Sequence, residues 1–499
     1  ARRGAHRCAS FGPELPRVCL VSDGATRPPS LNLRWSAFFP PLPKISHLRW
    51  WIAVLLFGAA VLNYVDRQTL SALAPTIQRD LTMDDRAYAD VVNLFLVAYT
   101  LAYLVSGRLT DRLGTRTGMA VFVCWWSLSN ALTAAAIGVR SLGAFRFALG
   151  LGEAGVWPAA SKAVAEWFPS RERALAIGIY TMGATIGATV APYLLIPIAA
   201  FPFAEKWPWL HQLAGNGLGW RVAFILTGLM GLIWLVPWWL LYRHPSHSSL
   251  IGDAERRLIA EGSSNTTADD GRPWSWREIF TSRVVWLLLL ARLITDPVWY
   301  FFQFWFPKYL HAARGLEQQQ LTVTWVIYAA AGVGSLLGGW LSGWRIRRGA
   351  TAAAGRMQVM LGCAVLLPLS PLIASTAGLS GSLAVSTAMV AAALAWLINL
   401  SALVVDLVPR HSLGAVFGVV AAGSTTGGLI TNTLVAAMVT ESAAAPAGFL
   451  DRAIHIVLGP LLSTVQGQGY GRWFLLMAFL HPVAWLLLRV GKISRAAAR

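Results

Sequence analysis

Apolar runs of membrane length recur along this 499-residue chain, among them Trp51 to Leu62, Val121 to Val139, Val222 to Leu241 and Leu383 to Leu400. A helix crosses a bilayer core with roughly 20 apolar residues, so runs of this kind are long enough to span. Charged residues make up only 13% of the sequence and hydrophobic ones 56%, too little charge to cover the surface of a soluble globule. Tryptophans at run ends (Trp50, Trp51, Trp220, Trp238 and Trp239) suit an interfacial aromatic belt.

Lys and Arg outnumber Asp and Glu by 41 to 23. The excess sits in short loops between the apolar runs, which is an orienting pattern and not the signature of a nucleic-acid binder. Arg108, Arg112 and Arg116 follow the second run, Arg171 and Arg173 the fourth, and Arg345, Arg347, Arg348 and Arg356 the eighth. The other side carries Arg79, Asp80 and Asp84 to Arg86, then Glu205-Lys206, then Glu441, Asp451 and Arg452. Both termini and the central loop are therefore expected on the cytoplasmic side of a cell (inner) membrane. Cys8, Cys19, Cys124 and Cys363 have neither disulfide-framework nor metal-site spacing. No metal or cofactor is expected.

The reading is an all-α membrane protein with about twelve transmembrane helices in two six-helix bundles. Spans fall near 50–77, 87–109, 118–138, 141–167, 171–200, 220–242, 284–310, 321–344, 355–377, 381–405, 413–439 and 472–490. Residues 50–242 form the first bundle, 243–283 an unpatterned central loop, 284–490 the second bundle and 491–499 a short tail. Residues 1–49 hold no membrane-length run; they read as a disordered segment, or an upstream extension of the reading frame, without a role. The halves echo each other: Gly107, Asp111, Arg112, Gly114 and Arg116 lie between spans two and three, and Gly339, Gly343, Arg345 and Arg348 between spans eight and nine. Gly343 stands where the first half has its acid. Two bundles with a faint repeat form the layout of a secondary transporter.

Charges at membrane depth cost about 2.5–3.5 kcal/mol each on insertion scales, so they face a cavity and serve a function. Span one holds Asn63, Asp66 and Arg67 at i, i+3 and i+4, one helical face. Arg67 suits an anionic substrate and Asp66 a proton. Span four holds Arg146 and Glu153, two turns apart, with Gly150 between. A carboxyl that loses its arginine partner in an apolar cavity binds a proton more readily, which is the logic of a relay. Tyr99 offers a hydroxyl. Span seven pairs Arg292 with Asp296 and continues through Trp299 to Trp305, where Trp299 and Gln303 suit a sugar and most other rings pack. Asn399 and Ser401, with Ser424, Thr425, Thr426 and Asn432, are candidates for the opposite wall, although small polar residues also serve helix contacts. His481 reads as interfacial.

These motifs resemble the anion–cation symporter branch of the major facilitator superfamily over residues 50–490. Gly107-Arg-Leu-Thr-Asp111-Arg112-Leu-Gly114-Thr-Arg116 matches the superfamily loop signature; Asn63-Tyr-Val-Asp66-Arg67 and Arg146 to Ala154 match the branch. The resemblance implies that Asp66 and Glu153 carry protons and that Arg67 and Tyr99 meet a substrate carboxylate. Glu166-Trp167-Phe168-Pro169 and Asp296 to Pro307 look most like hexuronate transporters, whereas Gly183-Ala184-Thr185 lacks the span-five glutamine of galactonate-handling relatives. The implied activity is proton-coupled uptake of a sugar acid by a monomer, with the small anion, protons and the lipid bilayer as its partners. A proton-driven exporter on the same fold is the alternative, followed by a non-transporting sensor and a membrane enzyme such as a lipid-linked glycosyltransferase.

Overall fold

The computed structural model describes residues 7–9, 18–20, 44–83, 85–202, 206, 218–261, 272–316, 320, 323–439 and 469–493. The chain divides into two units, Ala1–Lys44 and Ile45–Arg499. The first holds a short antiparallel pair, β1 (Arg7–Ala9) and β2 (Val18–Leu20), with Cys8 opposite Cys19. The stretch read as disordered thus contains a paired segment.

The second unit is helical. Its first half comprises α1 (Leu48–Ala72), α2 (Ala74–Asp80), α3 (Asp85–Leu113), α4 (Thr115–Leu132), α5 (Val139–Glu153), α6 (Val156–Trp167), α7 (Ser170–Ala200) and α8 (Leu218–Leu241). Two short helices, α9 (Asp253–Glu261) and α10 (Trp276–Thr281), lie in the central segment. The second half comprises α11 (Arg283–Phe304), α12 (Phe306–Arg314), α13 (Trp325–Arg347), α14 (Ala352–Leu366), α15 (Leu372–Ser375), α16 (Leu379–Leu407), α17 (Leu413–Val439) and α18 (Gly469–Val490).

Eleven helical stretches among the described residues are long and apolar enough to span a membrane. The expected span four is present as two shorter pieces, α5 and α6. Pro158 explains the break: it lacks an N–H, and its ring crowds the carbonyl four residues back, at Ala154 between the two helices. Glu153 therefore ends a helix in mid-span, next to irregular backbone. Such breaks are tolerated at membrane depth only where protein or a cavity surrounds them.

Glycines set how closely the helices approach. A Cβ on Gly150 would stand 2.6 Å from the Phe95 carbonyl oxygen of α3, and one on Gly183 of α7 would stand 2.5 Å from the Phe57 carbonyl oxygen of α1. The two halves meet the same way. A Cβ on Gly107 of α3 would overlap the Gly414 carbonyl oxygen of α17 at 1.8 Å, and one on Gly343 of α13 would lie 2.4 Å from the Arg171 carbonyl oxygen of α7. In place of an acid, the second-half repeat thus supplies a close contact across the seam.

These contacts cluster at the end carrying the Gly107–Arg116 loop. Arg108 donates to the Trp274 carbonyl, and Arg356 Nη2 donates to the Ser170 carbonyl at 2.8 Å. The basic loops after spans two, four and eight therefore share one end, as expected from their charge. The central segment is more structured than its sequence implied: Glu255 of α9 accepts the Leu48 and Arg49 backbone N–H groups at 3.0 and 3.1 Å, capping α1. Arg49 also pairs with Glu172 and Glu255, each at 2.8 Å. Of the charges assigned to the opposite end, Asp84, Glu205, Glu441, Asp451 and Arg452 lie outside the described residues.

Candidate functional site

A cavity of about 120 Å³ lies between the halves, lined from α1, α3, α6 and α7 on one side and α11, α13, α16 and α17 on the other. Two arginine–carboxylate pairs mark its walls. Arg67 donates through Nη2 and Nε to Glu153 Oε2 at 2.7 and 3.1 Å. The arginine side chain keeps 26% exposure toward the cavity, whereas Glu153 is fully buried behind it. The guanidinium is framed by the rings of Tyr64, Phe95 and Tyr99 at 4.7, 5.3 and 4.8 Å from their centroids. Opposite, Arg292 meets Asp296 at 3.1 Å, one helical turn along α11, and donates to Ser401 Oγ at 3.0 Å. That pairing follows from i,i+4 spacing and was legible in the sequence.

The Arg67–Glu153 pairing was not. Asn63, Asp66 and Arg67 share a face only loosely, since neighbours on a helix stand about 100° apart at 3.6 residues per turn. Asp66 turns away from the cavity, where its two oxygens accept from Trp126 Nε1 at 3.1 Å and Asn130 Nδ2 at 2.7 Å on α4. Asn63 is fully buried, with neither side-chain polar atom partnered among the described residues, and does not line the cavity. Arg146 is buried and makes no hydrogen bond to Glu153; its Nη2 donates to the Arg67 carbonyl at 3.3 Å, leaving Nε and Nη1 unpartnered among the described residues. Glu153 Oε1 is likewise unpartnered.

Tyr99, Trp299 and Gln303 line the cavity. In span seven the sorting follows the helix: Trp299, Tyr300 and Gln303 face the cavity, while Phe301, Phe302 and Phe306 are buried in the core. Ser401, Ser424 and Thr425 also line it, and Thr100 Oγ1 reaches Thr425 Oγ1 across the seam at 3.3 Å. Asn399 does not: its Nδ2 donates to the Gly338 carbonyl of α13 at 3.0 Å and to the Ala395 carbonyl at 2.8 Å, which makes it a helix-packing residue. Thr426 is exposed and bonds the Ala422 carbonyl of its own helix. The Asn432 side chain lies outside the described residues. His481, read as interfacial, is buried against Trp396 at 5.1 Å.

Sequence reasoning missed Trp157 and Tyr180. Trp157 Nε1 donates to the Tyr99 hydroxyl at 2.6 Å, and its ring lies 5.9 Å from that of Tyr180. Trp157 is the fourth residue past Glu153 and shares the Gly155–Pro158 break, the one signal that could have singled it out. The first half thereby adds its own aromatic wall to that of span seven. Flat rings with a few polar groups suit a ligand that has both apolar faces and hydroxyls.

At the loop end, Asp111 accepts the Gly414 and Ala415 backbone N–H groups at 3.0 and 2.8 Å, capping α17 from the other half, and binds Lys162 Nζ at 2.8 Å. Asp111 thus holds a helix end of the other half, with a lysine of its own half as its cation. Gly114 takes a positive φ of 77°, which turns the chain between α3 and α4. Arg116 lies 4.2 Å over the Trp239 ring and bonds that residue's carbonyl, while Arg112 is exposed. A second cross-seam cluster was not foreseen: buried Asp406 binds Arg173 of the first half at 2.7 Å and Arg356 of the second at 2.6 Å.

The Major Facilitator Superfamily profile matches residues 56–432. The chain is 31% identical over 300 residues to the hexuronate transporter of Escherichia coli strain K12, covering 60% of this chain and 66% of that protein, just under two thirds of its length. It is also 31% identical to the galacturonate transporter of Dickeya chrysanthemi, covering 60% of this chain and 82% of the other. Among solved structures, a proton:xylose symporter bound to 6-bromo-6-deoxy-D-glucose aligns over 89% of this chain and 96% of its own, with a TM-score of 0.63 at 14% identity, a likeness of fold. These relatives are named as transporters, and the chain, with eleven membrane-length helical stretches among its described residues, belongs to the Major Facilitator Superfamily.

Proposed function

We propose that this transporter carries out proton-coupled uptake of a sugar acid, a hexuronate such as glucuronate or galacturonate, across the inner membrane with both termini cytoplasmic. The observation that carries the reading is the Arg67–Glu153 pair: a partly exposed guanidinium faces the cavity while its carboxylate partner is sealed behind it. A substrate carboxylate entering the cavity competes for that guanidinium, whose planar fork fits a carboxylate with two hydrogen bonds. Glu153 is then left as an unpaired anion without water, which is costly unless it takes a proton. Anion binding and proton binding thereby become one event. Arg146, with two unpartnered donors close by, biases the moment at which that proton is held. Asp66 is the second proton site, on the far side of α1 and linked to α4 through Trp126 and Asn130.

Tyr99 and Gln303 serve hydroxyls, and Trp299 and Trp157 lie against the pyranose faces. The inter-half contacts at the Gly107–Arg116 end form the closed cytoplasmic gate, with Gly107, Asp111, Arg112, Gly114 and Arg116 as its moving parts. The names of the hexuronate and galacturonate relatives support the sugar-acid class. Uptake of labelled glucuronate into proteoliposomes under an imposed pH gradient tests the reading. Excess galacturonate should compete and glucose should not; equal competition by neutral sugars overturns it.

A further inference from the structure

On the outer surface of the second half, away from the central cavity, α13 and α16 lie backbone to backbone. A Cβ on Gly334 would stand 2.1 Å from the Ala391 carbonyl oxygen, and one on Gly338 2.5 Å from Ala395 Cα. Helix α14 does not follow them. A Cβ on its Gly362 would meet nothing within 4 Å, and a groove of about 570 Å³ opens between the three helices. Leu337, Leu341 and Val359 wall its length. The neighbouring Leu361 and Val365 are exposed, as befits a surface facing hydrocarbon.

The mouth of the groove differs. Trp344, Arg345 and Gln358 line it at the Gly107–Arg116 end, where α13 finishes and α14 begins. Arg345 Nε donates to Gln358 Oε1 at 2.6 Å, and the Arg348 guanidinium lies 3.9 Å over the Trp344 ring. Both arginines are exposed, and neither forms an ion pair among the described residues. The central cavity takes no part in this site, so the inference stands apart from the transported substrate.

We propose that this groove is a binding site for an anionic phospholipid, one acyl chain lying between α13, α14 and α16 and the phosphate resting on Arg345 and Arg348. The groove is apolar where the bilayer is apolar and cationic at the depth of the headgroups. A guanidinium forks onto phosphate oxygens, and basic pockets between membrane helices select anionic headgroups. Trp344 marks the interfacial level at which the headgroup sits. A lipid with a neutral headgroup gains the apolar contact and loses the charge pairing.

The test is native mass spectrometry of the full chain, titrated with phosphatidylglycerol or phosphatidylcholine of the same acyl chains. Wild type should hold phosphatidylglycerol more tightly. The double substitution Arg345→Gln, Arg348→Gln should weaken it by about fivefold per arginine, roughly 25-fold in all, while leaving phosphatidylcholine unchanged. Gly362→Phe, which fills the groove from its open side, should weaken both lipids. The two arginines are exposed, so the double variant folds as wild type does and keeps the test decisive even should the phenylalanine disturb α14. Equal retention of the two lipids by wild type, or undiminished phosphatidylglycerol retention in the double variant, overturns the site. So does displacement of the lipid by excess glucuronate, which would make the groove part of the transport path.

Discussion

Arg67 and Glu153 form an ion pair of 2.7 Å between α1 and α5, with the arginine facing the cavity and the glutamate fully enclosed. The break at Ala154 and Gly155 puts that carboxylate at a helix end, where Oε1 has no partner among the described residues. A pair so placed has one member a ligand can reach and one it cannot, and each of its halves can be tested separately.

Arg67→Lys keeps the charge and loses the fork. Loss of a charge-assisted hydrogen bond of about 1.5–3 kcal/mol should weaken sugar-acid binding by roughly 10- to 150-fold. Isothermal titration of glucuronate measures it, with Arg347→Lys, an exposed arginine outside the cavity, as the unaffected control. Binding within twofold of wild type would remove Arg67 from the site.

Glu153→Gln keeps the shape of the side chain and removes the proton site. One pH unit drives about tenfold accumulation per coupled proton, and that accumulation should vanish in the variant. Exchange of labelled for unlabelled glucuronate, which needs no net proton movement, should continue. Intact pH-driven accumulation would place coupling elsewhere, with Asp66 the next residue to neutralise.

Gly107→Ala places a methyl 1.8 Å from the Gly414 carbonyl oxygen, a backbone atom that cannot swing aside. The two halves should then part at the loop end. A cysteine at the buried Ser412 position, in a background without native cysteines, should react faster with a membrane-permeant maleimide when Gly107→Ala is present. An unchanged labelling rate would show that the seam closes without this contact.

Asp406 neutralises two buried arginines, one from each half. Asp406→Asn leaves both guanidinium groups short of an anion, and breaking a buried pair typically costs about 3–5 kcal/mol. Thermal unfolding in detergent should show a clear drop in midpoint, whereas Glu278→Gln, which breaks an exposed pair with Arg272, should leave it in place.

What the sequence determined by itself is whatever the helix and the bilayer enforce locally. Apolar run length set the spans and i,i+4 spacing the Arg292–Asp296 pair, whereas the break at Pro158 goes unread in a span that reads as continuous. The facing of Trp299 and Gln303 together, away from Phe301 and Phe302, is likewise a property of one helix.

Which helix stands opposite a given face is a different kind of fact. Asp66 and Arg67 adjoin in sequence, yet one is fixed by Trp126 and Asn130 while the other crosses to Glu153. Asn399 looked like a ligand contact and instead ties α16 to α13, because Gly338 lets the two backbones touch. Trp157 meets Tyr99, and Asp406 meets both Arg173 and Arg356, across separations of 58, 233 and 50 residues. Helical periodicity fixes angles within a segment. Only the packing of small residues between segments chooses the partner, and in a medium without water each buried charge must then take the partner that packing presents.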